Sequence, residues 1–127
     1  MERFKWDDQY SIGNSSIDEQ HKKLISLANL VLSFSDAGEK PEIVKRAVVT
    51  LCDYTRTHFT EEEKYMEIIR YAGLEEHRLL HSNIVGEMNR IMKGSKTIRD
   101  LVEQFKRLMP IWVIQHIMTE DKKIGPP

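Results

Sequence analysis

Apolar residues recur every three or four positions through four long segments of the 127-residue chain, and this spacing is typical of amphipathic helices. The first segment opens with Ser16-Ile-Asp-Glu19, which has the form of a capping box, and Gly38 supplies a stop at its end. The second segment begins at Pro41, which fits the first turn of a helix, and has no helix breaker before Gly73. The pattern therefore predicts two helices in the first half of the chain.

The second half carries two further segments with the same periodicity. A third helix is predicted over residues 74–93, and a fourth begins after Ser95 or Thr97. Pro110 falls inside the fourth, where it lacks an N–H donor and its ring clashes with the preceding turn, so we expect a bend or a broken hydrogen-bond ladder near residues 106–110. Four amphipathic helices with short connections predict an all-α, up-down-up-down four-helix bundle.

No linker rich in proline, glycine or serine and no internal repeat divides the chain, so residues 1–127 are expected to form one domain. Residues 1–15 look irregular and are expected to be an N-terminal arm whose aromatic residues pack across one end of the bundle. Residues 16–121 would form the bundle itself. Residues 122–127 would be a tail that frays.

Charge and composition exclude several classes of function. The net charge is −1 and basic residues are scattered among acidic ones, which argues against nucleic-acid binding. No apolar run approaches the roughly 20 residues needed to span a bilayer, and the N-terminal residues are too polar for a signal peptide. We therefore expect a cytoplasmic protein without a membrane span, and a monomer.

The five histidines all lie in or beside predicted helices, and two helices carry a pair of potential metal ligands four positions apart. These pairs are His58 with Glu62 and His77 with His81. Four residues advance about 400° around a helix, so the two members of each pair share one face. A single histidine on an apolar face is more often a core residue than a ligand, and it is the repeated pairing that favours a metal site.

The remaining candidates are His21, His116 and Asp121. Asp121 follows His116 by five residues, or about 500°, so it reaches the same face only if the helix ends, tightens or loosens between them. Five imidazoles and two carboxylates in one core would be costly to bury without a metal. Such ligands suit iron, zinc or manganese, and we expect the seven side chains to hold two metal ions.

Residues beside these positions are expected to have no part in the site. Glu61, Glu63 and Lys64 point about 100° or more away from the ligand face and should form solvated surface, so replacing Glu61 or Glu63 should do little. Cys52 is the one cysteine, lies off the face of His58 and is expected to be a small packing residue.

Several other metal and haem sites do not fit the sequence. The His-Glu-x-x-His motif of zincins and the Cys-x-x-Cys-His motif of covalent haem attachment are both absent. Ferritin-like di-iron proteins use Glu-x-x-His pairs, which have a different spacing and more carboxylates. With fewer anionic ligands, a metal pair here should be poorer at driving O–O cleavage.

The motifs together resemble the hemerythrin family, and specifically its single-domain bacterial-type members. The resemblance covers nearly the whole chain and includes every ligand position of the family pattern in order. The matching stretches are Trp6, Tyr10-Ser-x-Gly13, Ile17-Asp-Glu-Gln-His21-Lys-x-Leu24, His58-Phe-x-x-Glu-Glu-x-x-Met66, His77-x-x-x-His81 and Trp112-x-x-x-His116-Ile-x-x-x-Asp121.

The resemblance implies a non-haem di-iron centre, with two iron ions and an oxo or hydroxo bridge between them. It assigns one iron to His77, His81 and His116, and the other to His21 and His58. Both irons would be bridged by Glu62 and Asp121. The iron with two histidines would then keep one open coordination position, where O2 binds reversibly.

The family's O2 pocket maps onto five apolar residues, each one, three or four positions from a ligand. An apolar wall would exclude water and protons, which otherwise leave the iron in a ferric state that no longer binds O2. Val113 stands where the family often has leucine, which would enlarge the pocket and speed autoxidation. The five residues are Leu24, Phe59, Trp112, Val113 and Ile117.

The function expected from the resemblance is reversible O2 binding, for storage, delivery or sensing, rather than enzymatic turnover. One alternative is a di-iron enzyme with peroxidase or nitric-oxide-reducing activity, and another is iron storage or buffering. O2 binding is favoured because only one coordination position is open and no acid or base is evident beside it.

Overall fold

The computed structural model describes residues 4–34 and 40–125, apart from the side chains of residues 113 and 114. Within these ranges the chain forms helices and no strand, which confirms the all-α fold. The four α-helices are α1 (Ser15–Ser33), α2 (Pro41–Ile68), α3 (Leu74–Gly94) and α4 (Ile98–Met109). They are accompanied by a 3₁₀ turn at Asp8–Tyr10, a π-helical segment at Pro110–Glu120 and a second 3₁₀ turn at Asp121–Ile124.

The helices surround one apolar core. Helix α1 packs against α2 and α4, and α3 packs against the same two neighbours, so that consecutive helices touch and the first meets the last. This is the arrangement expected of an up-down-up-down bundle with short connections. The predicted apolar stripes point inward, with Leu24, Ala28, Val48 and Phe105 fully buried. In the described part of the chain, no helix combines the length and apolarity needed to cross a bilayer.

Helix α1 begins one residue before the predicted capping box. Its N-cap is Asn14, whose side chain accepts a hydrogen bond from the Ile17 N–H at 3.1 Å, so the prediction of Ser16 as the cap was wrong. The physical reason is tertiary: Asp18 accepts hydrogen bonds from Ser11 Oγ and from the Ile12 N–H, which ties the arm to the first turn. The predicted stop at Gly38 lies outside the described residues.

The other helix starts follow the sequence. Pro41 occupies the first turn of α2, as predicted. Thr97 caps α4 by accepting a hydrogen bond from the Asp100 N–H at 3.0 Å. Cys52 is buried in the core, in agreement with a packing role, and burial raises the pKa of its thiol to about 11.

The fourth helix changes its hydrogen-bond pattern at Pro110, where a break was expected. Regular α-helix ends at Met109 and a π-helix runs over Pro110–Glu120. Proline has no N–H to offer to the carbonyl four residues earlier, so the α-helical ladder cannot continue through it. The wider turn persists to its end, where the Asp121 N–H donates to the His116 carbonyl, five residues back.

Both chain ends are packed rather than loose where the structure describes them. Ile12, Ile17, Met66 and Ile124 form a small apolar cluster beyond the main core. The expectation that the tail frays was therefore wrong for residues 122–124, because burying Ile124 anchors this last turn. The division into arm, bundle and tail of one domain stays a prediction.

Candidate metal centre

All seven candidate ligands are buried and converge on one point inside the bundle. Helix α1 supplies one of them, α2 and α3 supply two each, and the π-helical segment and the turn after it supply one each. No member exposes more than 4% of its surface. They are His21, His58, Glu62, His77, His81, His116 and Asp121.

Glu62 lies between the histidines with its two oxygens turned to different partners. Its Oε1 is 3.1 Å from Nε2 of both His77 and His81. Its Oε2 is 3.1 Å from Nε2 of His21 and 3.3 Å from Nε2 of His58. The carboxylate therefore joins a three-histidine group, formed by α3 and the π-helical segment, to a two-histidine group formed by α1 and α2.

Asp121 repeats this division from the opposite direction. Its Oδ1 is 2.8 Å from His77 Nε2 and 3.0 Å from His116 Nε2, while its Oδ2 is 2.9 Å from His21 Nε2. In an α-helix Asp121 would lie off the face of His116, and the π turn that closes between these two residues brings them together. The loosening of the fourth helix is therefore what completes the site.

The ligand atoms fall into two sets, in each of which one atom from every residue lies within 4.8 Å of the others. Each set is compact enough to surround one cation, and the two carboxylates belong to both. The first set contains Glu62, His77, His81, His116 and Asp121, and the second contains His21, His58, Glu62 and Asp121.

The buried polar atoms fit a cation better than they fit each other. Both oxygens of Asp121 and Nε2 of His58 have imidazole or carboxylate atoms at 2.8–3.3 Å, but these buried contacts lack hydrogen-bond geometry. His81 and His116 also bring their Nε2 atoms to 3.1 Å of one another. Buried acceptors left unpaired are costly, and a metal ion among them would satisfy them all.

The electrostatics of the site favour positive charge. Burial raises the pKa of Glu62 and of Asp121, but contacts with the surrounding histidines outweigh it and hold both carboxyl groups below their usual range. Burial lowers the pKa of His21 and His77, but the opposite effect of Asp121 and Glu62 is larger. The pKa is therefore raised to about 10 for His21 and to about 9 for His77. Burial dominates at His58, whose pKa is lowered. In the absence of metal, protons on His21 and His77 would balance the two carboxylates.

Two residues that sequence reasoning missed hold the histidines from outside. His58 Nδ1 lies 2.7 Å from Gln20 Oε1, and His81 Nδ1 lies 2.8 Å from Glu63 Oε2. The prediction that Glu63 belongs to the solvated surface was therefore wrong. No spacing within one helix could have revealed these contacts, because each joins residues of two different helices.

Apolar side chains adjoin the candidate ligands. The Phe59 ring stacks on the His81 ring with 3.7 Å between centroids and 6° between planes, and it meets Trp112 edge-on at 4.8 Å. Trp112 in turn lies 5.1 Å from His116. Leu24 and Ile117 are fully buried, whereas the side chain of the fifth candidate, Val113, lies outside the described residues.

Comparisons with known proteins agree with this picture. The family model of the hemerythrin HHE cation binding domain matches residues 13–126. A bacteriohemerythrin of Pseudomonas paraeruginosa is 27% identical over 95% of this chain and 78% of its own length. One of Clostridium acetobutylicum is 26% identical over 94% of this chain and 97% of its own length. A hemerythrin-like protein of Naegleria gruberi is 30% identical over 94% of this chain and 89% of its own length. No solved structure matches. The family match spans nearly the whole chain, and the chain belongs to the hemerythrin family.

Proposed function

We propose that this protein binds O2 reversibly at a non-haem di-iron centre. The observation that carries the proposal is the shared pair of carboxylates: Glu62 and Asp121 each turn one oxygen to the three-histidine group and the other to the two-histidine group. This is the arrangement required to bridge two metal ions. The proposed ligands are His21, His58, Glu62, His77, His81, His116 and Asp121.

The two histidine groups would give the two ions different coordination. His77, His81 and His116 with the two bridging oxygens offer five ligand atoms, whereas His21 and His58 with the other two oxygens offer four. The ion held by His21 and His58 would therefore have one protein ligand fewer, and with an oxo or hydroxo bridge completing the centre it is the ion that would accept O2. The chemistry supplied by the bound iron pair is a reversible exchange of two electrons with O2.

The protein's own contribution is to hold the ions apart from water. Leu24, Phe59, Trp112 and Ile117 are at most 3% exposed, and Phe59 and Trp112 cover the imidazoles directly. Water and protons promote release of reduced oxygen species and leave oxidised iron behind. An apolar wall keeps them out and therefore favours release of O2 itself.

The proposal is tested by the optical spectrum of the reduced, iron-loaded protein before and after exposure to air. We expect two iron ions per chain and a new visible band in air that disappears under vacuum and returns with O2. A band that does not reverse, with turnover of peroxide or nitric oxide, would contradict the proposal in favour of a di-iron enzyme. Iron uptake far above two per chain would contradict it in favour of storage.

Replacing His21 by alanine is expected to yield a folded protein with one iron and no O2 binding. His21 Nε2 is the atom of the two-histidine group that contacts both carboxylates, at 2.9 Å and 3.1 Å. Its loss leaves that ion with a single histidine, and the affinity should fall by more than the about 10–100-fold typical of changes around a ligand. Iron content and the oxy spectrum provide the measurement. Lys22→Ala, which removes a partly exposed neighbour, should retain two irons.

Replacing Ile117 by threonine is expected to shorten the lifetime of the oxygenated protein. Ile117 is fully buried beside His116, and threonine introduces a hydroxyl into the apolar wall. The hydroxyl can hydrogen-bond water or a proton donor inside the wall. If this lowers the activation free energy of oxidation by about 1.4 kcal/mol, the rate of oxidation rises roughly tenfold. The decay of the oxy band measures this rate. Ile117→Val removes volume without adding polarity, and equal acceleration in both variants would show that packing rather than polarity protects the site.

A further inference from the structure

We propose that Glu63 and Gln20 are positioning residues that make the two metal positions unequal in affinity. The Glu63 carboxylate would strengthen binding at the three-histidine group, whereas the neutral amide of Gln20 leaves the two-histidine group weaker. The two-histidine group would therefore be filled last and emptied first. This inference rests on the proposed two-ion centre, and it concerns metal binding rather than O2.

Glu63 fixes the proton and the direction of the His81 ring. An ionised carboxylate can only accept hydrogen bonds, so the 2.8 Å contact places the imidazole proton on His81 Nδ1, which donates to Glu63 Oε2. The lone pair of Nε2 then points inward, toward Glu62 Oε1 and His116 Nε2, both at 3.1 Å. Because His81 is 2% exposed and stacked on Phe59, the plane of its ring is fixed, and the hydrogen bond to Glu63 selects Nδ1 as the outward nitrogen.

An arginine on the surface holds Glu63 in place. Arg78 Nε lies 3.4 Å from the second oxygen of Glu63, and the other guanidinium nitrogens pair with Glu67 and Glu75. The Arg78 side chain is 35% exposed, so water screens these pairs and their energy is small. Their effect is geometric: Glu63 keeps one oxygen for His81 and presents the other to Arg78.

The two-histidine group has no equivalent support. His58 Nδ1 donates to the amide oxygen of Gln20 at 2.7 Å, and His21 Nδ1 is buried without any partner. Among the described residues, neither outward nitrogen of this group meets a carboxylate. The contrast between the groups is therefore one of charge, since the two supported histidines have hydrogen bonds of nearly equal length.

A carboxylate acceptor makes an imidazole a better ligand than an amide does. Partial transfer of the Nδ1 proton increases electron density at Nε2, and loss of such a partner typically lowers metal affinity about 10–100-fold. The three-histidine group already has one more ligand. Glu63 adds to that advantage, so that a protein with a single ion should carry it there.

The test is a titration of metal-free protein with Zn2+ in competition with a chromophoric chelator, which resolves two stepwise affinities without any O2 chemistry. Glu63→Gln keeps the shape and the acceptor but removes the charge, and should weaken the tighter site about 10–100-fold while leaving the weaker one unchanged. Gln20→Glu is the reciprocal change and should strengthen the weaker site alone. Glu67→Gln, which alters a partner of Arg78 that touches no histidine, should change neither.

The two stepwise Zn2+ affinities of the variants test the inference. If Glu63→Gln leaves both affinities unchanged, or weakens both equally, the inference is wrong. A general loosening of the fold would appear as a lower thermal midpoint of the metal-free variant. If the wild-type protein binds two Zn2+ with the expected variant effects but shows no reversible O2 binding, the proposed function fails while this inference stands.

Discussion

Replacing Glu62 by alanine is expected to abolish iron binding at both proposed positions. The Glu62 carboxylate contacts four of the five histidines, at 3.1–3.3 Å, and is fully buried. Without it two cations would face each other across the core with one bridging carboxylate fewer. Each affinity should therefore fall by more than the about 10–100-fold caused by changes around a ligand.

The measurement is iron per chain together with the oxy spectrum, and the neighbouring glutamates supply graded controls. Glu61 is exposed and its replacement by alanine should leave both irons in place. Glu63→Ala should have an intermediate effect, because it removes the partner of His81 Nδ1 but no ligand. Equal losses in Glu61→Ala and Glu62→Ala would show that the ligand face of α2 has been misassigned.

Folding of the Glu62→Ala variant is checked separately. Truncating the buried carboxylate removes one of the two groups that raise the pKa of His21 and His77, so the pKa of both should fall in this variant. Glu62→Gln preserves the shape and keeps the core filled. We expect it also to lose iron while its metal-free form retains the helical circular-dichroism signal of the wild-type protein.

The paired ligands of α2 and α3 could be predicted from the sequence, whereas the position of Asp121 could not. The four-residue spacing of His58 and Glu62, and of His77 and His81, fixes each pair on one face whatever the rest of the fold does. The five-residue spacing of His116 and Asp121 does not place them on one face of an α-helix. Pro110 indicates where the α-helical pattern must fail, but nothing local distinguishes a kink, a stop or a π-helix as the outcome, and it is the π-helix that brings Asp121 to His116 here.

The supporting contacts mark the limit of helical periodicity. Glu63 lies about 100° from the ligand face of α2, so the periodicity of that helix alone predicts an exposed residue. The packing of α3 against α2 places His81 beside it and makes it half-buried. Gln20 reaches His58 in the same way across α1 and α2. Such contacts depend on how helices are rotated against each other, which spacing along one helix does not encode.

Removing the metal is expected to lower the thermal midpoint by an amount that grows with pH. Ligand that binds only the folded state, at a thousandfold above its Kd, stabilises it by about 4 kcal/mol. Two such ions contribute about 8 kcal/mol, and at about 4 °C per kcal/mol for a chain of this length the midpoint should shift by on the order of 30 °C. Zn2+ serves as the probe, since it undergoes no oxidation during heating.

The dependence on pH follows from the metal-free histidines. His21 and His77 have pKa values raised from 6.5 to about 10 and about 9, because their contacts with Asp121 and Glu62 outweigh the effect of burial. Their protonation stabilises the metal-free fold fully below pH 6.5, and this stabilisation is lost progressively as the pH rises to about 10. With the proposed ions bound, both imidazoles would be neutral ligands, so the midpoint of the metal-loaded protein should not fall over the same range.

The gap between loaded and metal-free midpoints should therefore widen from pH 6.5 to pH 10 and close in acid, where protons displace the metal. Thermal scans of the metal-free and Zn2+-loaded protein at one-unit pH intervals provide the measurement. His77→Gln should flatten the metal-free slope, because it removes one of the two groups that titrate there. A gap that stays constant with pH would mean that the metal displaces no protons, and hence that His21 and His77 do not face the carboxylates as metal ligands.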